Sequence, residues 1–491
     1  MAAIALADSR SEILARLAAV RPPLTVIAED EALAPYETDA LIAHRARPML
    51  AAIPDTEEQA RAVVLACRAR GVPVVSRGAG TGISGGAIPR PDGVLLVLAR
   101  MRRLRKLDPI ARLAVAEPGA TNASLSEAGA PHRLHFAPDP SSSLVSSIGG
   151  NVAENAGGIH CLKYGLTVHN ILALRAIDGE GELLEIGSAA LDCAGFDLLA
   201  LMNGSEGNLG VLTEVTVRLI PEPEAVETLL AVFPDPRSAA AAVGEIIGAG
   251  VIPAALEMMD RIVIEACEKV MHAGFPEGAA ALLLVELDGA AEEVADQVGK
   301  VRAILEGGGA TEVRQARTAG ERATLWRARK GAFAALATFN PDYYTMDGSI
   351  PRRELPDMLD RIAGLSREYG LTVGNVFHAG DGNLHPCIFY DISKPGELER
   401  AEELGGRILE ACLDAGGSIT GEHGVGIEKL RQMCSQFRDA EIAAFHDVKR
   451  AFDPDALLNP GRAVPTLKRC AEWGGLHVRG GRLPRPEIPR F

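Results

Sequence analysis

The sequence predicts an α+β fold in two main domains, and three observations carry that prediction. At 491 residues with 47% hydrophobic content, the chain exceeds what one core usually supports. Short aliphatic and β-branched runs recur through the first 220 or so residues, punctuated by glycine-rich turns. After PEPEAVE, residues 221–227, helix-length stretches alternate with strand-length ones, as in a sheet with helices segregated to one face.

In chain order, residues 10–20 read as a short helix, and Thr56 with Gln59 offers a capping box for a helix to about Arg70. Strands follow at 72–76, 95–99, 113–119 and 171–187, the last turning at Asp178-Gly179. GSEGNLGVLTEVTVRLI, residues 204–220, is a glycine turn feeding a strand that alternates at Val211, Thr213, Val215, Val217 and Leu219. The two prolines and three acids of PEPEAVE mark a domain boundary. Beyond it come a helix at 237–249, a strand at 281–287 ending in Asp288-Gly289, and a helix at 290–306; the last 25 residues read as extended.

Composition excludes some functions. A net charge of −15 argues against a nucleic-acid partner, which requires clustered Lys and Arg. The N-terminal stretch lacks a basic start and is broken by Asp8, Arg10 and Glu12, so a cytoplasmic protein is expected, docked to a membrane at most through a partner. The eight cysteines are scattered without a CxxC cluster, which argues against an iron–sulfur centre in this chain.

Two groups of motifs carry the chemistry. VPVVSRGAGTGISGG, residues 72–86, passes from a strand into a loop whose glycine amides form a nest for a diphosphate, with Ser76, Thr81 and Ser84 adding hydroxyls. It lacks the Walker Gly-Lys-Ser/Thr, and no normal-length amphipathic helix follows, as a dinucleotide fingerprint would require. APDPSSSLVSSIGGNVAENAGG, residues 137–158, is poor in charge and rich in hydroxyl and amide groups, suiting a polar planar cofactor, and LNPGR, 458–462, closes the series.

HAGDGNLH, 378–385, and GEHGVG, 421–426, form the second group. Two neutral imidazoles and one carboxylate, His378, His385 and Glu422, make a ligand set that leaves a position open on a divalent metal. An odd spacing on a straight strand would oppose the two histidines, but Gly380, Asp381, Gly382 and Asn383 favour a reversal. Glu422 and His423 are neighbours, so both face one site only on irregular backbone, which Gly421, Gly424 and Gly426 permit. His423 is then free to act as a base.

These segments, in this order, resemble the FAD-linked oxidases of the vanillyl-alcohol oxidase type, and the histidine motifs resemble their D-2-hydroxyacid dehydrogenase branch. The resemblance covers nearly the whole chain. It implies a two-part, p-cresol methylhydroxylase-like flavin-binding domain at 46–223 after an N-terminal segment, 1–45. It further implies an antiparallel-sheet, ferredoxin-like substrate (cap) domain at 224–465 whose last part returns to the flavin, and an extended tail, 466–491. FAD contacts are expected at Arg77, Gly78, Ala79, Gly80, Thr81, Gly82, Pro138, Asp139, Ser143, Gly149, Gly150, Asn151, Gly157, Glu206, Gly210 and Asn459. Some relatives attach flavin through a His in the glycine loop; Thr81 stands there in this chain, so noncovalent FAD is expected.

The reaction the resemblance implies is oxidation of a 2-hydroxy acid, glycolate or D-lactate, with catalytic His423 taking the hydroxyl proton. The metal is expected to be zinc or manganese, the same donor set also accepting iron or cobalt. In LWRARKGA, 325–332, Arg329 falls where the branch places its substrate arginine, with Arg327 and Lys330 as competing choices. Asn383, Tyr343 and Tyr344 are expected at the substrate. YYTMDGS, 343–349, departs from the D-2-hydroxyglutarate dehydrogenases, which carry a Lys near Thr345, and this favours a monocarboxylate. Electrons are expected to leave through a separate iron–sulfur subunit, beside a second flavin-domain subunit.

Overall fold

A computed structural model describes residues 2–190, 194–466 and 469–470, with only the backbone of 2–8. Helix Ala2–Ala18 precedes a four-stranded sheet of Thr25–Ile27, Leu50–Ile53, Val94–Val97 and Val74–Arg77, in that order. The two ladders on Val94–Val97 are parallel. Parallel strands need a crossover, and helix Glu57–Arg68 supplies it. Thr56 caps that helix, its Oγ1 accepting from Gln59 N, while Gln59 Oε1 accepts from Asp55 N one residue earlier than a capping box requires.

A five-stranded antiparallel sheet follows, ordered Leu104–Asp108, Leu113–Ala116, Val211–Arg218, Ile171–Ile177, Leu183–Gly187. The alternation read in 211–219 puts Val215 and Val217 in the core. The hairpin expected at Asp178-Gly179 pairs Ile177 with Leu183, and the residue with positive φ is Gly181 at +81°. Asp178 Oδ1 accepts from the amides of Glu180 and Glu182 and so fixes a longer turn than a two-residue one.

The second domain is built on seven antiparallel strands, ordered Glu312–Gln315, Ala225–Phe233, Ala281–Gly289, Ala255–Asp260, Val373–Phe377, Pro386–Phe389, Tyr343–Thr345. Helices cover both faces, which corrects the expectation of one. Helices Pro236–Gly248, Ala291–Gly307 and Leu355–Tyr369 pack with Leu229, Ala231 and Phe233; helices Arg261–Met271, Ala319–Lys330 and Ala332–Leu336 pack with Leu230 and Val232. The reason is legible in ALLLV, residues 281–285, an unbroken apolar run that must be buried on both sides.

The chain then returns to the first domain. Leu457 O accepts from Val74 N at 2.8 Å, and Asn459 N donates to Val74 O at 2.8 Å. No helix among the described residues is long and apolar enough to cross a membrane. The expected extended tail from 471 onward lies outside the described residues.

Candidate active site

A cavity of about 550 Å³ runs from the glycine loop to the histidine motifs. Its wall includes Arg77, Gly78, Ala79, Gly80, Thr81, Gly82, Gly149, Gly150, Asn151, Gly157, Glu206, Gly210 and Asn459, all expected there. At Gly78 a Cβ would stand 2.1 Å from Ser147 Oγ, and so would displace the hydroxyl that caps helix Ile148–Glu154 by accepting from Gly150 N. Ser146 Oγ and Asn151 Nδ2 are buried on the wall without a partner, the condition of groups shaped for a polar ligand. Asn459 closes the cradle: its Oδ1 accepts from Ser76 N, and its Nδ2 donates to Glu206 O at 2.6 Å.

Three expected cofactor residues are not on this wall. Asp139 is spent on His160 (2.9 Å) and Lys330 (2.8 Å), Pro138 O accepts from Asn122 Nδ2, and Ser143 is turned into a backbone turn closed on Pro140 O. Their neighbours Pro140, Ser141, Ser142, Ser146 and Ser147 line the cavity instead. Motif reading found the loop and missed which residues of it face inward.

At the far end the reversal at 379–382 forms as expected: Asp381 N and Asn383 N both donate to His378 O, and Gly382 has φ +73°. His378 and His385 meet edge to face, ring centroids 5.2 Å apart. Glu422 Oε1 lies 3.0 Å from His378 Nε2 and 3.3 Å from His385 Nε2. Both nitrogens of His385 are buried without a hydrogen-bond partner. His423 stacks on His385 at 4.6 Å with an interplanar angle of 5°, its Nε2 3.8 Å from Glu422 Oε1.

Adjacent residues Glu422 and His423 both turn inward because their backbone wraps a carboxylate. Asp347 accepts from the amides of Gly421 (3.0 Å), Glu422 (3.1 Å) and His423 (3.0 Å) and from Thr420 Oγ1 (2.6 Å). Successive amides converging on one anion form a nest. Lys429, fully buried, pairs with Asp347 at 2.9 Å. Burial alone would raise the Asp347 pKa, but Lys429, His423 and His385 outweigh it and hold the acid well below its ordinary value. A second cluster of ligand-type atoms, Asp347, His385 and His423, also exists. Asp347 is already saturated by donors, so His378, His385 and Glu422 form the better cation site.

Burial pulls the His423 pKa down to about 4, with His385 beside it adding to the fall, so the imidazole is neutral near pH 7. His378 moves the other way. Burial lowers it, but Glu257 and Glu422 on either side hold it well above the ordinary value.

Arg329, expected at the substrate, is not on the cavity wall. It is fully buried and sits 2.5 Å from Glu257, whose carboxylate accepts from His378 Nδ1 at 2.8 Å. The order is Arg329, Glu257, His378, and the Nε, Nη1 and Nη2 of Arg329 are buried without a hydrogen-bond partner. Of its competitors, Lys330 is paired with Asp139, and Arg327 is likewise absent from the wall. Asn383 is also buried off the wall, packed against Gly421. Tyr343, Tyr344 and Thr345 do line it. Glu257, Asp347, Lys429 and Phe333 went unread; a lone Glu in the apolar strand ALEMMD was the one available signal for Glu257.

A cradle of this kind joined to a histidine and carboxylate cluster is what a flavin-dependent oxidoreductase needs. Family comparisons agree: an FAD binding domain matches residues 48–187, and the C-terminal domain of FAD linked oxidases matches 222–463. The glycolate oxidase subunit GlcD of Escherichia coli K12 is 55% identical over 482 residues, covering 98% of this chain and 97% of the relative. A D-lactate dehydrogenase of Archaeoglobus fulgidus is 31% identical, covering 92% of this chain and 99% of the relative. p-Cresol methylhydroxylase with substrate bound shares the fold with a TM-score of 0.78 at 17% identity, over 94% of this chain and 98% of that one. The chain belongs to the FAD-linked oxidases and is an FAD-dependent oxidoreductase.

Proposed function

We propose that the chain oxidises glycolate to glyoxylate, using noncovalent FAD and a divalent cation, zinc or manganese, held by His378, His385 and Glu422. The observation that carries this reading is the convergence of those three side chains and neutral His423 at the end of the flavin cavity. Tetrahedral ligands at the usual zinc distances stand roughly 3.3 Å apart; the 3.0 and 3.3 Å separations about Glu422 Oε1 suit that spacing. Orphaned His385 Nε2 is a further point of fit.

His378, His385 and Glu422 would hold the cation, which would supply Lewis acidity toward the substrate. FAD in the cradle supplies a two-electron acceptor. The protein's part is proton handling and positioning. His423 Nε2, beside the ligand cluster, accepts the substrate hydroxyl proton as general base. Asp347 holds His423 and Glu422 in register through their amides, and Glu257 fixes His378 with Nδ1–H outward and Nε2 toward the cluster. We assign the electrons to an iron–sulfur subunit, beside a second flavin-domain subunit, in a cytoplasmic assembly; the naming of the E. coli relative as a subunit supports a complex. D-Lactate is the second reading, supported by the Archaeoglobus relative.

The test is anaerobic bleaching of the bound flavin by glycolate, D-lactate, L-lactate and D-2-hydroxyglutarate, before and after chelation. Rapid bleaching by glycolate that chelation abolishes is expected, with His423→Ala slowing it by roughly 10²- to 10⁴-fold. Reduction indifferent to His423 would remove it as the base, and no bleaching by any acid would favour a subunit that lacks its catalytic partner.

A further inference from the structure

We propose that Phe333 sets the upper size of the substituent on the carbinol carbon, making the protein selective for 2-hydroxy monocarboxylates no larger than a few carbons. The inference rests on the reading of the site as a 2-hydroxy acid oxidase. Phe333 lies on the short helix Ala332–Leu336 and lines the cavity. Its ring meets the edge of His385 at 6.1 Å with an interplanar angle of 61°. Whatever is held beside His385 therefore has this ring as a neighbour.

The wall is fixed from behind. Phe333 packs against the core beneath the sheet, and its carbonyl accepts from Tyr343 Oη at 3.0 Å. That bond pins the Tyr343 ring beside Phe333 and commits its hydroxyl to the backbone, so this side offers a substrate hydrocarbon. Ala337 and Pro341 continue the same lining.

Nothing on this wall meets a second carboxylate. Arg77 is the one Lys or Arg on the cavity wall among the described residues, and it belongs to the glycine loop, donating to Thr38 O. Lys330 is paired with Asp139, and Arg329 lies off the wall against Glu257. An apolar wall discriminates by size, and one methylene in such a pocket is worth roughly 10- to 200-fold.

The experiment compares wild type with Phe333→Ala, Phe333→Leu and Phe333→Trp on glycolate, D-lactate and D-2-hydroxybutyrate. Phe333→Ala is expected to raise the kcat/KM ratio of D-2-hydroxybutyrate to glycolate about tenfold or more at unchanged FAD content. Phe333→Leu should lie between, and Phe333→Trp should lose D-lactate before glycolate. In parallel, binding of glyoxylate, pyruvate and 2-oxobutyrate to oxidised holoenzyme is followed by flavin absorbance, which needs no turnover. A fall of equal factor for all three acids, or binding ratios unchanged by substitution, overturns the size role and leaves the oxidase reading standing. Failure of every acid to bind or to bleach the flavin overturns both.

Discussion

Arg329 shows how much of a residue's setting lies outside its own motif. Its place in LWRARKGA was legible, but a sequence does not reveal that a carboxylate 72 positions upstream lies against it. Glu257 and Arg329 are both buried, and each is the other's compensation. Removing one partner of a buried pair costs about 3–5 kcal/mol, because the charge left behind is unpaired. Arg329→Met is therefore expected to lower stability by that order in denaturant unfolding and to weaken metal retention through Glu257 and His378, measured as metal per protein after dialysis. A substrate-forking arginine would behave otherwise: KM for glycolate would rise while stability and metal content stayed put. By contrast, His378, His385, Glu422 and His423 could all be read in advance, since donor type and glycine placement are local properties.

At the scale of elements, the glycines of GEHGVG were readable as a sign of irregular backbone, while the surfaces that the loop joins were not. The loop is a bridge: Glu206, from the flavin domain, accepts from Val425 N and Gly426 N, both at 2.7 Å, and Gly426 O accepts from Ala463 N. Gly426 has φ +51°, and a Cβ there would stand 2.0 Å from the carbonyl oxygen of Ser84. Since the obstacle is backbone, relief requires the two loops to part. Gly426→Ala should cost about 1–3 kcal/mol from the backbone conformation alone. It should also release flavin, visible as a lower flavin-to-protein absorbance ratio; full flavin occupancy with an unchanged melting temperature would refute the bridge. The strands and helices themselves were largely legible because periodicity is local. Helix placement on both sheet faces required weighing the unbroken apolar run 281–285 above the ordinary α+β pattern.

At the scale of the whole molecule, a polar latch between the domains could not be read from sequence, because its members are 126 and 191 positions apart. His160, from the flavin domain, bonds Asp139 at 2.9 Å and Glu286 of the second domain at 3.3 Å; Lys330 of the second domain reaches back to Asp139. Glu286 is fixed in turn by Thr228 and Trp326. Burial opposes charge on His160, but Asp139 and Glu286 outweigh it and raise its pKa from 6.5 to about 10. Burial likewise opposes ionisation of Asp139, and His160 and Lys330 outweigh it to depress that pKa far below 3.8. A raised histidine contributes stability fully below its unfolded pKa and loses it as pH climbs through the folded one; a depressed aspartate contributes above its unfolded pKa and loses it on acidification. The latch is thus strongest between about pH 4 and 6.5, weakening toward about pH 10. His160→Gln should lower the melting temperature most near pH 6, and the gap from wild type should narrow steadily as pH rises from 6.5 to 10. A gap independent of pH would mean that His160 is held neutral and that the domains are joined by packing alone.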